Sequence, residues 1–231
     1  MAVRLVTWNC CGSFAQKYAH LLDLDFDLTV VSECAPLPAD TDTSSRGLTQ
    51  LTQQPFPGTS KHLGVFARSP WRIEPVHGLS ARPWLLPVRV TGPRSFVLLA
   101  FWAAEPRRFG SYTDQMARVI DDVLPAVEGE VVIAGDWNAP IPSSAAAHAR
   151  NTAALAEHDL VDAFTTSRTA PDRLAEPTYF HWRKENQPFH IDHVFVPRAW
   201  AQGISLDIGT YDEWVASARS DHVPLVLDSL D

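Results

Sequence analysis

The sequence contains few cysteines and no long hydrophobic run. Only three of its 231 residues are cysteines, and two of them, Cys10 and Cys11, are adjacent, a placement that rarely allows a relaxed disulfide. We therefore expect reduced thiols in or near the core. No stretch approaches the ~18 uncharged apolar residues that a membrane span requires. The first residues, MAVRLVTWN, contain no signal-peptide hydrophobic region, so a soluble, cytoplasmic protein is expected.

Zinc-type spacings, internal repeats and interdomain linkers are also missing. No arrangement of cysteine and histidine has the spacing of a zinc site, so no structural metal is predicted. Two stretches, Ala35–Arg46 and Ala139–Ser144, resemble loops, but neither is long enough to separate two domains. At about 150 residues per domain, the length fits one domain over residues 1–231. No feature predicts a protein partner, and we expect a monomer.

Positive charge is scarce and dispersed along the chain. The 19 Lys and Arg residues, 16 of them Arg, are outnumbered by 27 Asp and Glu residues, so the net charge is −8. This balance argues weakly against a protein that coats a polyanion. It does not exclude an enzyme that cleaves one, because a bound metal supplies local positive charge.

Short β-branched runs bounded by polar or turn residues predict a strand-rich protein. Seven runs are candidate strands: Val3–Trp8, Leu28–Glu33, Leu63–Arg68, Phe96–Phe101, Val131–Gly135, His190–Val196 and Val223–Leu227. Apolar residues spaced by three and four predict a helix over Tyr112–Val127, with weaker candidates at Ala15–Leu24 and Ala145–His158. The mixture predicts an α/β fold without strict alternation of strand and helix.

Acidic, amide and imidazole residues stand at the ends of these runs or inside them. They occur at five separate places, around Asn9, Glu33, Asp136, Asp192 and Asp221. Each alone has an ordinary explanation, such as a turn residue or a surface ion pair. A carboxylate left unpaired beside a buried strand is costly, whereas a divalent cation or a hydrogen-bond network removes that cost. Five such places together therefore indicate a polar site.

Five motifs, in chain order, resemble those of the endonuclease/exonuclease/phosphatase superfamily: Thr7-Trp8-Asn9, Ser32-Glu33, Gly135-Asp136-Trp137-Asn138, Ile191-Asp192-His193 and Ser220-Asp221-His222-Val223-Pro224. The resemblance extends from Thr7 to Leu227, and the third and fifth motifs are its specific part. The superfamily contains deoxyribonuclease-I-like nucleases, abasic-site endonucleases, sphingomyelinases and inositol-polyphosphate phosphatases. Membership implies a four-layer α-β-β-α sandwich of two mixed sheets flanked by helices. It also implies a divalent-metal phosphoesterase site where the sheets open.

The resemblance implies a metal site at three of these residues. Glu33 is the expected direct ligand of Mg²⁺, with Asn9 beside it, as a ligand or through a water, and with Asp221 completing the site. Mg²⁺ prefers oxygen ligands and keeps several waters, so one or two carboxylates suffice. Mn²⁺ is expected to substitute for Mg²⁺.

Four further residues have catalytic roles by the same resemblance. Asp136 would orient and deprotonate the attacking water, and Asn138 would hold that carboxylate or a phosphate oxygen. His222 would donate to a nonbridging phosphate oxygen, while Asp192 would fix its tautomer and raise its pKa. Whether Asp136 or His222 is the base stays open.

The sequence departs from the superfamily pattern at two positions. Ser32 precedes Glu33 where many members have Gln, which is a mild change. Trp102 ends a strand where many members place a Tyr or His against the phosphate, and its indole N–H can donate but cannot transfer a proton. The candidate substrate-binding residues, each with an equally ordinary structural explanation, are Trp102, Arg107, Tyr112, His148 and His190, the last because it lies two residues before Asp192 and would share its sheet face.

Three substrate classes are compatible with these motifs. We expect a nuclease that hydrolyses phosphodiester bonds of nucleic acid. The dispersed positive charge and the compact chain leave a small soluble phosphate ester as the alternative, followed by a lipid headgroup. A catalytically silent binding or scaffold module of the same fold is a different class of function. The filled acidic, amide and imidazole positions disfavour it, and divalent-metal binding in a thermal melt would test it.

Overall fold

Two six-stranded mixed sheets and their flanking helices form the protein. The computed structural model describes residues 2–44, 47–55, 58–79 and 82–229, without the side chain of Pro142. The strands are β1 (Val3–Asn9), β2 (Leu28–Cys34), β3 (Leu48–Thr52), β4 (His62–Arg68), β5 (Arg72–Pro75), β6 (Leu85–Thr91), β7 (Phe96–Trp102), β8 (Val131–Asp136), β9 (Leu160–Asp162), β10 (Tyr179–Phe180), β11 (Pro188–Phe189), β12 (Asp192–Pro197), β13 (Ile204–Ile208) and β14 (Leu225–Ser229). The α-helices are α1 (Phe14–Asp23), α2 (Pro106–Phe109), α3 (Tyr112–Arg118), α4 (Ile141–Glu157) and α5 (Ala163–Thr166).

The two large sheets repeat one pattern of strand pairing. The first sheet has the order β13-β14-β1-β2-β4-β3, and the second has the order β5-β6-β7-β8-β12-β9. In each sheet the two central strands, β1 with β2 and β7 with β8, are parallel, and every other pair is antiparallel. Parallel neighbours end at the same edge of a sheet, so each sheet presents one pair of carboxyl-terminal strand ends.

Alternation along the strands divides the core into two clusters. Leu5 of β1 and Val30 of β2 belong to a large cluster that includes the buried residues of the second sheet. Trp8 of β1 packs instead in a second cluster with Phe14 and Leu21 of α1. Because successive side chains of a strand point to opposite faces, the first sheet packs on the second sheet with one face and on α1 with the other.

All seven predicted strands are present, with ends within two residues of the prediction. Two other predictions hold only in part. Of the predicted loop Ala139–Ser144, only Ala139 and Pro140 lie outside a helix, because α4 begins at Ile141 with a proline in its first turn, where a missing N–H costs no hydrogen bond. Tyr112–Val127 is not one uniform helix: α3 ends at Arg118, a π-helical turn follows over Val119–Val123, and a 3₁₀ turn containing Pro125 ends the segment.

Two further findings concern loops and membranes. Residues 35–44 of the predicted loop Ala35–Arg46 contain no helix or strand, and Ser45 and Arg46 lie outside the described residues. Within the described ranges, no helix is long and apolar enough to cross a membrane.

Candidate active site

The carboxyl ends of the two central strand pairs meet at Asp136. The Nδ2 of Asn9, the last residue of β1, donates to Oδ2 of Asp136 at 2.9 Å. Asn138 donates to the same carboxylate twice, from its backbone N to Oδ1 at 2.8 Å and from Nδ2 to Oδ2 at 3.0 Å. Asp136 is completely buried. Three N–H groups from two sheets therefore hold this carboxylate in one orientation.

The position before Asp136 requires glycine. Gly135 has a φ of +142°, and a Cβ built there would lie 1.8 Å from the carbonyl oxygen of Phe101. Only a residue without a side chain allows β8 to approach β7 this closely. The close approach places Asp136 beside Trp102 in the parallel register and beside Asp192 of β12 in the antiparallel register.

Asp192 and His222 form a buried pair next to Asp136. The Nδ1 of His222 lies 2.8 Å from Oδ2 of Asp192. The hydroxyl of Thr178 accepts from the backbone N of Asp192 at 3.0 Å, which fixes the start of β12. Ser220 holds the backbone of His222 beside the end of β1. Its hydroxyl donates to the Asn9 carbonyl oxygen at 2.6 Å and accepts from the His222 backbone N at 3.1 Å.

The surroundings of Asp136 and of His222 raise the pKa of both groups. Burial, followed by the charge of Asp192, raises the pKa of Asp136 to about 7, although His222, Asn9 and Asn138 act in the opposite direction. Burial lowers the pKa of His222. The charge and hydrogen bond of Asp192, with smaller contributions from Asp136 and Asp221, outweigh that burial and raise the pKa to about 10. The contact with Asp192 therefore favours the protonated form of His222.

Glu33 stands at an irregular point of β2. The pairing of β2 with β4 shifts register between Val31 and Cys34, and Glu33 there has a φ of +59°. Its Oε2 accepts from Nζ of Lys61 at 2.5 Å. The bulge turns this carboxylate out of the alternating pattern, which is a common way to aim a side chain into a site.

The oxygen ligands present fit a hard divalent cation. Glu33 and Asp221 both lie near the Cys11 thiol. Burial is the largest cause of the raised pKa of this thiol, and the charges of Asp221 and Glu33 raise it further. Asn9 adds an amide oxygen, which accepts from the Cys11 backbone N at 2.9 Å and keeps a second lone pair. A separate group, formed by Asp136, Asp192 and His222, is the one set of described residues whose ligand atoms all lie within 4.8 Å of one another. Both sets offer the oxygen donors that Mg²⁺ and Mn²⁺ take.

Two of the predicted substrate-binding residues line a cavity beside Glu33. Trp102 and Tyr112 border a space of about 270 Å³ together with Glu33, Asn138, Thr59, Lys61, Ala104 and Glu105. Burial, followed by the charges of Asp136 and Glu105, raises the pKa of Tyr112. The phenol therefore stays protonated at neutral pH and can donate a hydrogen bond to an anion.

The other three predicted substrate-binding residues, Arg107, His148 and His190, do not border this cavity. His190 and His148 lie in a buried cluster with His193, where the ring centroids are 5.1 Å apart for His148 and His193 and 5.3 Å apart for His190 and His193. His190 precedes β12, which starts at Asp192, so strand alternation does not bring it to the face of Asp192. Arg107 is exposed in the short helix α2, outside the residues that border the cavity.

Tyr179 and Lys61 belong to the site but were not among the sequence candidates. The ring of Tyr179 lies with its centroid 4.6 Å from that of His222. Burial, followed by the charges of Asp221 and Asp136, raises the pKa of Tyr179 to about 12. Tyr179 occupies a strand of two residues, too short to show periodicity, and Lys61 precedes β4 in a polar stretch.

The sequence matches the Endonuclease/Exonuclease/phosphatase family over residues 6–222. The chain belongs to this family. Its fold is similar to that of a 3′ phosphatase, NExo, from Neisseria bound to product DNA hairpin, with 16% identity over 99% of both chains and a TM-score of 0.70. An AP endonuclease from Archaeoglobus fulgidus covers 97% of this chain and 98% of its own, with 13% identity and a TM-score of 0.71.

A third similar structure is truncated TDP2 from Caenorhabditis elegans, with 14% identity, 100% of this chain and 98% of that chain covered, and a TM-score of 0.69. No curated protein matches the sequence. The family match and these folds confirm the predicted resemblance and the predicted α/β sandwich of two mixed sheets flanked by helices. Members of the family are phosphoesterase hydrolases, among them nucleases and phosphatases.

Proposed function

We propose that the protein is a divalent-metal-dependent hydrolase of phosphate esters and, more specifically, a nuclease that cleaves phosphodiester bonds. One observation carries the proposal: Asp136, Asp192 and His222 form a buried group, and both sheets orient its central carboxylate through Asn9 and Asn138. Burying two carboxylates beside one another is unfavourable for folding alone. Such an arrangement is typical of a site whose pKa values serve catalysis.

Asp136 is positioned to act as the general base. In hydrolysis, a water oxygen bonds to phosphorus, the ester P–O bond breaks, and the water gives up a proton. A carboxylate with a pKa of about 7 accepts that proton near neutral pH and can return it to the leaving oxygen or to solvent. Asn9 and Asn138 hold the carboxylate so that its orientation is set before the water arrives.

His222 is positioned to stabilise the charge that develops on the phosphate. Its Nδ1 is bound to Asp192, so its other nitrogen, Nε2, can donate to a nonbridging phosphate oxygen. Glu33, Asp221 and Asn9 are the residues that would hold the cation. A bound Mg²⁺ or Mn²⁺ supplies charge neutralisation at the phosphate in this class of reaction.

Nucleic acid is the substrate class that the comparisons favour. Two of the similar structures are named for action on DNA or its damaged sites, an AP endonuclease and a 3′ phosphatase with a DNA hairpin. A small soluble phosphate ester is the second candidate, and two observations support it. The cavity beside Glu33 has about 270 Å³, just below the usual lower limit for a ligand pocket. The net charge of −8 is unfavourable for gripping a long polyanion.

Hydrolysis by the purified protein tests both candidates. The panel contains single-stranded, double-stranded and abasic DNA, RNA, bis-p-nitrophenyl phosphate and p-nitrophenyl phosphate, each with Mg²⁺ or Mn²⁺ and with EDTA. Asp136→Asn, purified in parallel, controls for a contaminating nuclease. We expect metal-dependent cleavage of a polynucleotide and a loss of at least ~10²-fold in the variant, the usual effect of losing a positioned base.

The remaining outcomes separate the alternatives. Cleavage of only the two nitrophenyl esters, lost in Asp136→Asn, would support a small phosphate ester as substrate. An Asp136→Asn variant and a His222→Ala variant that both keep near-normal activity would refute the site assignment. No cleavage of any substrate, together with no metal binding by the folded protein, would instead favour a scaffold module.

A further inference from the structure

Two lysine side chains lie beside the residues of the candidate cation site. The chain has only three lysines among its 19 basic residues. The Nζ of Lys61 donates to the Glu33 carboxylate at 2.5 Å, and the Nζ of Lys17 donates to the carbonyl oxygen of Cys10 at 2.6 Å, directly after Asn9. A lysine is a compact charge on a flexible four-carbon stem, whereas arginine presents a rigid fork. Lysine therefore suits a contact that changes partner.

Lys61 is the lysine that reaches the reaction space. It borders the cavity of about 270 Å³ that also contacts Asn138, Trp102 and Tyr112. It also borders a neighbouring cavity of about 210 Å³ on the other side of Glu33, next to Gly12 and Ser13. Its side chain is 43% exposed, while the Glu33 side chain is 18% exposed. The ammonium can thus move away from Glu33 without leaving the site.

The Glu33 carboxylate cannot serve a divalent cation and the Lys61 ammonium equally well. Two positive charges held by one carboxylate repel each other, and the repulsion is stronger in a partly buried site than in water. A cation held at Glu33 would therefore weaken the ion pair between Glu33 and Lys61, and the Lys61 ammonium would become free to move. Within the cavity, which Glu105 also borders, an anion held by the cation would offer the freed ammonium a new partner.

We propose that Lys61 is a phosphate-binding residue of this site and that it exchanges Glu33 for the substrate phosphate when the cation binds. The inference rests on the proposed function. It assigns to Lys61 the phosphate contact that the sequence pattern leads one to expect at the end of β7, where this chain has Trp102. Before the cation arrives, Lys61 neutralises Glu33 and competes with the metal.

Lys61→Met tests the exchange, because it removes the charge and keeps the length of the stem. Titration calorimetry measures Mn²⁺ binding without substrate, and then inorganic phosphate binding to the Mg²⁺-saturated protein. We expect the two affinities to change in opposite directions. Mn²⁺ should bind several-fold more tightly because its competitor is gone, and phosphate should bind about tenfold more weakly or worse because a charged hydrogen bond is lost.

Two further variants make the result specific to this ammonium. Lys61→Arg keeps the charge and should bind phosphate more tightly than Lys61→Met does. Lys184→Met makes the same change at an exposed lysine after Trp182 and should leave both affinities at wild-type values. A folding defect in Lys61→Met would appear in its circular dichroism, and Lys61→Gln, which also removes the charge, would then provide the comparison of Mn²⁺ affinity.

Two outcomes would overturn the inference, and a third would separate it from the proposed function. Unchanged affinities for both ions in Lys61→Met would make the ion pair a surface contact without function. Weaker Mn²⁺ binding would make Lys61 a residue that holds Glu33 in place for the metal, which also contradicts the exchange. Opposite shifts in the two affinities, with no hydrolysis of any ester by the wild type, would support Lys61 as a phosphate-binding residue while refuting the proposed enzyme.

Discussion

The side-chain amide of Asn9 and the carboxylate of Asp136 join the two sheets at 2.9 Å. Asn9 ends β1 and Asp136 ends β8, and each strand belongs to the parallel pair at the centre of its sheet. The geometry of the proposed active site thus depends on how the two sheets pack on each other, and not on one loop. A change on either sheet that moves its strand end will alter the protonation of Asp136.

Asn9→Ala is expected to raise the pKa of Asp136 further. The amide of Asn9 donates to the charged form of the carboxylate and so lowers its pKa, against burial and Asp192, which raise it to about 7. Without this donor, Asp136 stays protonated to higher pH, and the acidic limb of kcat/KM against pH moves upward. Asn151→Ala is the matched control, because this buried amide bonds the Thr113 carbonyl oxygen instead. An unmoved limb in Asn9→Ala would contradict Asp136 as the base.

Asp192→Asn should move both the acidic and the basic limb of kcat/KM against pH to lower pH. Asp192 is the largest of the groups that raise the pKa of His222, and it is the neighbouring charge that raises the pKa of Asp136. Its neutralisation lowers both values, so His222 loses its proton at a lower pH and Asp136 becomes a weaker base. We expect activity to fall about 10²-fold or more near pH 8 and less near pH 6. Imidazole NMR titration of His222 measures the shift directly, and a pKa that stays near 10 would refute this account.

The strand ends that carry the site were predictable from sequence, and the irregular contacts were not. Asn9 and Asp136 follow apolar β-branched runs that are buried on both faces, which made β1 and β8 visible together with their polar ends. β3 is an edge strand with only Leu48 buried, and β10 has two residues, so neither shows an alternating pattern. Edge pairing is decided by neighbouring strands rather than by local sequence.

The side-chain contacts of Lys61 and His190 could not be predicted from the sequence for a related reason. Lys61 precedes β4 and meets Glu33 only because β4 pairs with β2 around a bulge. His190 was expected on the face of Asp192, yet β12 begins at Asp192 and His190 instead packs on Phe164 and His193. Period-two reasoning holds inside a strand and fails one residue beyond its end.

The buried histidine cluster should make the protein sensitive to acid. Burial, followed by the charge of Arg173, lowers the pKa of His148 to about 4, and burial also lowers the pKa of His190 to about 4. The pKa of His193 falls well below its usual value, with burial again the main cause. The unfolded chain binds these protons near pH 6.5 and the folded chain does not. His148 and His190 are therefore neutral in both states above pH 6.5, and between about pH 6 and pH 4 each costs the fold up to roughly 1.4 kcal/mol per pH unit.

Urea unfolding between pH 7.5 and 5 measures this dependence. We expect His148→Phe, which removes one of these titrations from beside the ring of Trp137, to flatten the fall in the free energy of unfolding. His158→Phe, at an exposed position after α4, should leave the slope unchanged. Equal slopes in wild type and His148→Phe would show that the cluster does not set the acid limit.

Gly135→Ala should be among the most destabilising single substitutions in this chain. A Cβ at this position would overlap the Phe101 carbonyl oxygen, and the backbone cannot yield without separating β7 from β8. We expect a loss of about 3 kcal/mol or more in the free energy of unfolding. Gly129→Ala is the control, since Gly129 also has a positive φ, +91°, but a Cβ added there would meet no atom within 4 Å. It should lose about 1 kcal/mol through backbone strain alone.

Glu33→Gln should abolish most of the stabilisation that Mn²⁺ gives to the folded protein. A cation that binds only the native state stabilises it by about 2.7 kcal/mol at a hundredfold excess over Kd. Replacing the carboxylate by an amide removes the charge that attracts the cation and leaves the shape nearly unchanged. Glu74→Gln makes the same change at an exposed position of β5 and should melt like the wild type, with and without Mn²⁺. If Glu33→Gln keeps the full Mn²⁺ shift, the cation is held by the group of Asp136, Asp192 and His222 instead, and Glu33 serves Lys61 alone.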